Sequence, residues 1–279
     1  MTAFLSLLSA LFYGVADFSG GHATRKNTVF SIMIFSQSAG ALVALIAAPL
    51  VSLVAPSAAD LGWGFLAGLL GSIGLAALYR GLAEHKAAIV SPVSALVGAI
   101  LPAAFGIIMG ERLSVPAVIG AALCLPAIFL LSYEKGETEN LSELRASLLY
   151  GLVAGLGFGC FFIAISRTSA ESGLWPLLSA RVASISVTGA FVLLTRKRLA
   201  IAKADRPIAL FAGAADMAAN VFFLVASRSG LIIIVALITS LFPAPTVILA
   251  RIFHGQRISV PRAVGIVLAL AGVALIGIR

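Results

Sequence analysis

Ten long apolar segments dominate the sequence and limit what the chain can fold into. About 61% of its 279 residues are hydrophobic and only 11% are charged, which is more apolar surface than a soluble domain of this size could bury. A transmembrane helix needs roughly 20 apolar residues to cross a hydrocarbon core of about 30 Å. The predicted spans are residues 3–21, 29–50, 61–83, 87–109, 115–132, 147–166, 174–195, 208–227, 231–253 and 260–278. We therefore predict an all-α polytopic membrane protein with ten transmembrane helices.

The turn between spans four and five returns almost unchanged between spans nine and ten. The segment MGERLSVPAVIG begins at Met109, and the segment HGQRISVPRAVG begins at His254, 145 positions later. About half of the aligned residues are identical, and the same offset places Gly14 opposite Gly159. Such self-similarity indicates an internal repeat. We predict two five-helix modules, residues 1–133 and 147–279, joined by an acidic linker at 134–146 that could hold a short surface helix.

Each copy of the repeated turn has the same helix-ending and helix-starting residues. Gly110 and Gly255 follow the end of an apolar helix, where glycine is favoured. Ser114 and Ser259 precede the next helix, and each is followed by a proline in the first turn, where its missing N–H is not needed. Both copies are therefore predicted to be helical hairpins.

The odd number of spans in each module decides their relative orientation. A second module of five spans must enter the bilayer from the side opposite to the first, so the repeat is predicted to be inverted. Inverted repeats are a recurring architecture of secondary transporters, which bind substrate near the bilayer midplane and alternate access by rocking one half against the other. The repeat therefore predicts a binding site at mid-depth.

The two hairpins, together with the five-plus-five order of spans, resemble the drug/metabolite transporter superfamily and its ten-helix EamA-type branch. The most specific part is the Gly-Glu-Arg turn followed by Ser-x-Pro at residues 110–116, in which Gln256 replaces the acid in the second copy. The resemblance implies transport of small metabolites, amino acids or drugs, without a catalytic motif or a cofactor. It also implies that Tyr79 lies where relatives line a cavity with aromatic side chains.

Asp216 and Asn220 are the strongest candidates for a binding site, because they lie one turn apart deep in span eight. A carboxylate at that depth should face protein or a wet cavity rather than lipid. Two readings stay open: Asp216 pairs with Arg181 or a backbone group as a structural contact, or it meets a substrate amine or carries a coupling proton. The further substrate-binding candidates are Asp17, Arg181, Gln37, Thr239 and Ser240.

Prolines interrupt three of the spans: span four, span five at Pro126, and span nine. Each removes an N–H and frees a carbonyl about one turn earlier, as Pro243 would free that of Thr239. The alternatives are a packed kink, or a hinge or pocket wall in spans four and nine, and the family resemblance favours a pocket wall. The candidate hinge residues are Pro92 and Pro102 in span four and Pro243 and Pro245 in span nine.

Several other residues receive ordinary structural interpretations. Glu111 and Arg112 lie in a surface turn, where charges cost least, so we leave them out of the site. Cys124 and Cys160 lie in apolar runs and are predicted to be core residues rather than a disulfide. The histidines lack ligand-like spacing, so we expect no metal site. The basic residues are confined to short turns and set membrane topology, so the predicted partners are a small-molecule substrate and membrane lipid, with no nucleic acid.

We expect a secondary transporter of small metabolites, most plausibly an exporter of amino acids or related compounds, that can use a proton as coupling ion. The alternative is a non-transporting assembly partner or sensor; an enzyme ranks last, because no acid-base or nucleophile constellation is visible. We expect a multi-pass protein of the cell membrane, such as a bacterial inner membrane. Basic residues concentrate in the odd-numbered loops, which places both termini outside.

Overall fold

The structure is a computed structural model that describes residues 1–24, 27–84, 87–133, 141–196, 199–255 and 257–278, and within these ranges the side chains of residues 79, 82–84, 87 and 88 are outside the description. The described residues form α-helices and one short 3₁₀ helix, with no strand among them. The α-helices are α1 (Thr2–Thr24), α2 (Val29–Val51), α3 (Ala58–Glu84), α4 (Ala87–Ile108), α5 (Val115–Ser132), α6 (Leu141–Ser166), α7 (Trp175–Leu194), α8 (Arg206–Ser229), α9 (Ile232–Thr239), α10 (Pro243–His254) and α11 (Val260–Gly277).

Ten segments of the described chain are long and apolar enough to cross a membrane, as predicted. Helices α1 to α8 supply eight of them, and α11 supplies the tenth. The ninth, Ile232–His254, combines α9 and α10. The predicted class of all-α polytopic membrane protein is therefore confirmed.

Helix α6 begins earlier than the sequence-based span. It starts at Leu141, inside the segment predicted as a linker, while residues 134–140 of that segment lie outside the described residues. Leu141, Leu144 and Leu148 follow helical spacing, so the polar residues between them continue the helix into the span. Glu143 lies in the first turn, where a negative charge complements the helix dipole. The described part of the linker is thus the first turns of α6 rather than a separate surface helix.

The glycines and the N-cap serines of the two repeated turns have matching backbone conformations. Gly110 has φ of 85° and Gly255 has φ of 65°, a left-handed conformation in which a β-carbon would be strained. Ser114 and Ser259 are extended and precede a proline in the first turn of α5 and α11, although neither side chain makes a capping hydrogen bond. The glycines therefore end the preceding helices as predicted, and the serines occupy the N-cap positions without bonding there.

The two predicted modules are packed into each other rather than side by side. The main contacts pair α1 with α8, α3 with α6, α4 with α6, α1 with α9 and α10, α3 with α7, α2 with α8, α2 with α7, α5 with α11 and α4 with α9. Every one of these pairs joins the first five spans to the last five. The pattern is also unchanged when each span of the first module is exchanged with the corresponding span of the second. For example, the packing of α4 on α6 (spans four and six) corresponds to that of α9 and α10 on α1 (spans nine and one). The packing thus has an internal twofold pattern.

Close helix contacts at glycine follow the same pattern. A β-carbon on Gly68 would lie 2.1 Å from the Ala180 carbonyl oxygen where α3 crosses α7, and one on Gly213 would lie 1.9 Å from the Ser36 carbonyl oxygen where α8 crosses α2. Gly68 and Gly213 are 145 positions apart, which is the offset of the repeat. Any larger residue would push these backbones apart.

Both cysteines are free, as predicted. Cys124 is fully buried in α5 and Cys160 is half-buried in α6. The Cys124 sulfur packs against α11, where a β-carbon on Gly272 would lie 2.8 Å from it.

Candidate functional site

A chain of hydrogen-bonded side chains joins four helices inside the protein. Arg181 of α7 donates through Nη2 to Asp216 Oδ2 on α8 and through Nη1 to Gln37 Oε1 on α2. Asn220 donates through Nδ2 to the Asp216 backbone oxygen at 2.7 Å and to Asp216 Oδ2 at 3.2 Å. Tyr13 of α1 donates its hydroxyl proton to Asn220 Oδ1 at 2.9 Å. We call Tyr13, Gln37, Arg181, Asp216 and Asn220 the central network.

The central network lies far from either end of its helices. Asp216 is the eleventh of the 24 residues of α8, and Gln37 is the ninth of the 23 residues of α2. At 1.5 Å per residue, each is roughly 12–15 Å from the start of its helix. The side chain of Arg181 is 9% exposed, whereas that of Asp216 is 31% exposed. Ionised groups at such depth need partners or water. Of this ion pair, Asp216 is the more accessible member.

Four of the predicted site residues meet in this network: Asp216, Asn220, Arg181 and Gln37. Of the two readings left open for Asp216, pairing with Arg181 is the one this conformation contains. Tyr13 was missed by the sequence reasoning. The sequence feature that could have indicated it is a tyrosine in an apolar span, one helical turn before Asp17.

Asp17 lies on a face of α1 that is buried near the start of the helix and exposed near its end. Along one face of α1, Ser6 and Ala10 are buried, Tyr13 is partly buried, and Asp17 and Gly21 are exposed. A β-carbon on Gly21 would have no atom within 4 Å. The protein therefore closes over this face near the start of α1 and leaves it open near the end.

The Asp17 carboxyl group makes no hydrogen bond or ion pair with any described residue. It lies one helical turn after Tyr13, whose hydroxyl bonds Asn220, and so it is on the part of α1 that packs against α8 near Asp216. Exposed Phe4, Leu7 and Leu11 form the apolar stripe of α1, and Asp17 lies roughly a third of a turn away from it. A carboxylate in a span faces a wet cavity rather than lipid. Asp17 is therefore a carboxyl group beside the central network that has no partner among the described residues.

The remaining predicted site residues lie apart from this network or outside the description. Thr239 and Ser240 are buried at the end of α9, the Thr239 hydroxyl has no partner among the described residues, and no described hydrogen bond links either residue to the network. Their helix end lies near α1, since the Phe242 ring is 6.3 Å from the Tyr13 ring. The side chain of Tyr79 lies outside the described residues.

Comparison with known proteins identifies the family. The sequence model of the EamA-like transporter family matches residues 1–133 and 171–278. The chain belongs to the EamA-like transporter family. An uncharacterized protein of Methanocaldococcus jannaschii is 31% identical over 128 residues, which cover 46% of this chain and 93% of that protein. One solved crystal structure shares the fold, with a TM-score of 0.78 at 16% identity over 98% of this chain and 95% of that chain.

Family membership suggests that this EamA-like protein is a membrane transporter of small substrates, and it confirms the resemblance seen in the hairpins. The structure adds a break in one span that the prolines predict. Helix α9 ends at Thr239 and α10 begins at Pro243. The carbonyl of Thr239, which Pro243 leaves without its helical donor, accepts instead from the Phe242 N–H at 3.1 Å.

Span four of this EamA-like transporter is different, because α4 runs without a break through Pro92 and Pro102. The interruption expected there is therefore not a break in the helix. A single proline removes only one helical hydrogen bond. The break in span nine instead has two prolines, Pro243 and Pro245, at the start of the second helix, where proline is favoured.

Glu111 has a contact that the sequence reasoning missed. Its carboxylate accepts from the backbone N–H groups of Ile232 at 2.8 Å and Ile233 at 3.1 Å, which lie at the start of α9. A negative charge there satisfies unpaired N–H groups and complements the helix dipole. Glu111 thus fixes the repeated turn of the first module to the broken span of the second, in addition to lying in the turn as predicted.

His22 and His254 are brought together although they are far apart in the sequence. The His22 Nδ1 and His254 Nε2 atoms are 3.2 Å apart, between the ends of α1 and α10. Within the described residues no group of three or more histidine, cysteine or carboxylate side chains could hold a metal. His85 lies outside the described residues.

Proposed function

We propose that this protein is a secondary active transporter that exports amino acids or related compounds across the cytoplasmic membrane by alternating access. A bacterial inner membrane is the setting we expect. The observation that carries the proposal is the carboxyl group of Asp17, without a partner among the described residues, beside the buried ion pair of Arg181 and Asp216.

The charges of this site suit a zwitterion. When Asp17 is ionised, Asp17 and Asp216 carry two negative charges and Arg181 one positive charge, so the site can take one further cation. An ammonium group would bind Asp17, while a carboxylate would share Arg181 with Asp216 in the forked geometry that guanidinium favours. Gln37 and Asn220 add neutral hydrogen-bonding groups. α-Amino acids carry both charged groups on adjacent atoms, which supports them as the substrate class.

A proton is the coupling ion we propose. Protonation of Asp17 would neutralise the same charge that an ammonium group neutralises, so proton and substrate would compete for one carboxylate. Competition of this kind couples export of one species to entry of the other, because a ligand shifts a conformational equilibrium only through its differential affinity for the two states.

The proposed alternating access uses the inverted repeat, but it does not rock one half against the other. Five spans per module, the twofold pattern of helix contacts and a relative that matches about half the chain support an inverted duplication. Because each module packs chiefly against the other, the halves are not separate rigid bodies. We propose that the hairpins α4–α5 and α10–α11 move, with Pro92, Pro102, Pro243 and Pro245 as the hinge residues.

Counterflow in proteoliposomes tests this function. Vesicles that contain the purified protein are loaded with unlabelled amino acids, and entry of the labelled compound is measured without an imposed gradient. A transporter accumulates label transiently, whereas protein-free vesicles do not. Failure with every tested amino acid, amine and organic acid, by protein that is folded and inserted, would contradict the proposal and favour a non-transporting role.

A further inference from the structure

A polar cavity lies between two loops of different modules, away from the central network. Its volume is about 420 Å³. The α2–α3 loop and the first turns of α3, with Asp60 and Trp63, form one wall, and the α6–α7 loop, with Arg167, Ser169 and Glu171, forms the other. It lies at the C-terminal end of α2, whereas the α1–α2 loop and the exposed end of the Asp17 face lie at the N-terminal end of α2. We call it the loop cavity.

Hydrogen bonds between the loops hold the walls of the loop cavity in place. Asp60 accepts from the Ser169 N–H at 2.7 Å, the Ser169 hydroxyl at 2.8 Å and the Ser57 hydroxyl at 2.8 Å. The Ser52 hydroxyl donates to the Glu171 backbone oxygen at 2.9 Å. A framework fixed in this way reduces the ordering cost of binding. Since its carboxylate already has three donors, Asp60 belongs to the framework.

The two other charged residues of the loop cavity have no partners. The side chains of Arg167 and Glu171 are exposed, and neither makes a hydrogen bond or ion pair with a described residue. Their charges are opposite. Trp63, 39% exposed, provides an aromatic surface on the same cavity. Charged loop residues are ordinarily just solvated, but here they line a framed cavity together with an indole.

The corresponding loops at the other end of the helices contact each other directly. Asp205 lies 145 positions after Asp60, at the repeat offset. It accepts from Asn27 Nδ2 at 2.7 Å, and the Ala202 N–H donates to Asn27 Oδ1 at 2.9 Å. The hydrogen-bonded framework of the loop cavity thus has a counterpart at the other end of the helices.

We propose that the loop cavity binds a small zwitterion of the α-amino acid class. Arg167 binds its carboxylate, Glu171 binds its ammonium group, and Trp63 packs against its apolar part. A cavity of this size lies in the range of small-molecule sites, and it is larger than a free amino acid needs. This site is separate from the central network and does not depend on transport through it.

Intrinsic fluorescence of the purified protein reports on this cavity. The chain has two tryptophans, Trp63 in the cavity wall and Trp175, whose Nε1 donates to the Ser52 backbone oxygen at 3.3 Å in the framework. The probes are L-leucine, 3-methylbutylamine, which lacks the carboxylate, and 4-methylpentanoate, which lacks the ammonium group. We expect a saturable change with leucine and binding at least about tenfold weaker with the other two, because each loses one charge-assisted contact.

Variants separate this site from the central network. Arg167→Gln and Glu171→Gln should each weaken leucine binding by about tenfold. Arg112→Gln, which changes another exposed loop arginine, is the matched control and should leave leucine binding unchanged.

Two results would overturn the proposal. One is the absence of saturable leucine binding up to about 10 mM, a very weak affinity for a small ligand. The other is leucine binding of unchanged affinity in both Arg167→Gln and Glu171→Gln, since the ligand would then occupy a different site. In that second case the proposed transport function would stand, so the two failures are distinguishable.

Discussion

Asp17 is the residue on which the proposed transport cycle depends. Asp17→Asn keeps the size of the side chain and removes the charge that would bind ammonium or a proton. We expect exchange of a zwitterionic substrate to fall at least about tenfold, and the pH dependence of what remains to be lost, since one charge-assisted contact is removed. The measurement is counterflow over a range of pH. Glu143→Gln, in the first turn of α6, is the control; unchanged rate and pH dependence in Asp17→Asn would rule the assignment out.

Asp216 and Arg181 form an ion pair whose two members are expected to be energetically coupled. Asp216→Asn leaves the buried Arg181 charge without its partner, so it should destabilise the protein and abolish exchange. Adding Arg181→Gln should recover part of the stability but none of the transport. In a double-mutant cycle of thermal stability we expect a coupling of about 1–3 kcal/mol, below that of a fully buried pair because Asp216 is partly exposed. Additive effects, or normal transport by Asp216→Asn, would contradict this role.

At the scale of single elements, the break between α9 and α10 is the feature with the clearest consequence. Pro243→Ala supplies the missing N–H and favours a continuous helix through span nine. We expect slower exchange with near-normal membrane insertion, measured as initial rates at equal amounts of inserted protein. Pro126→Ala, in the unbroken helix α5, is the control and should change the rate little. Equal rates in the two variants would argue against a hinge at Pro243.

The contact of Glu111 with the start of α9 is expected to stabilise that helix. Glu111→Ala removes both the acceptor and the negative charge from the N–H groups of Ile232 and Ile233. We expect a loss of about 1 kcal/mol, the usual size of a capping effect. A thermal melt in detergent would measure it, with Arg112→Ala in the same turn as the control. No difference between the two melts would mean that the capping contact contributes nothing.

The sequence predicts elements better than it predicts their partners. Apolar length and the paired glycines gave the ten spans and the hairpin turns, because those features depend on neighbouring residues. The contacts of Tyr13 with Asn220 and of Glu111 with Ile232 join residues 207 and 121 positions apart. Nothing local in either segment specifies such a partner. The same limit explains why Asp216 could be placed at depth but not assigned to Arg181.

At the scale of the whole molecule, the crossed packing of the two modules changes how motion is pictured. A rocking motion between halves needs few contacts across their boundary, whereas here α1 packs on α8, α3 on α6 and α5 on α11. The loops at both ends of α2 and α7 are also bonded across the modules, through Asp60 at one end and Asp205 at the other. We propose that α1, α2, α3, α6, α7 and α8 form the scaffold. The hairpins α4–α5 and α10–α11, which contact each other through α5 and α11, are then the movable parts.

The orientation of the whole molecule is the last prediction. The basic residues of the odd-numbered loops place those loops inside and both termini outside. Lys203, exposed before α8, and Glu171, exposed before α7, lie at opposite ends of α7. In a background with Cys124→Ala and Cys160→Ala, Glu171→Cys should react with an impermeant thiol reagent in intact cells. Lys203→Cys should react only after the cells are opened. The reverse labelling pattern would place the termini inside, and it would reverse the side on which the exposed end of the Asp17 face lies.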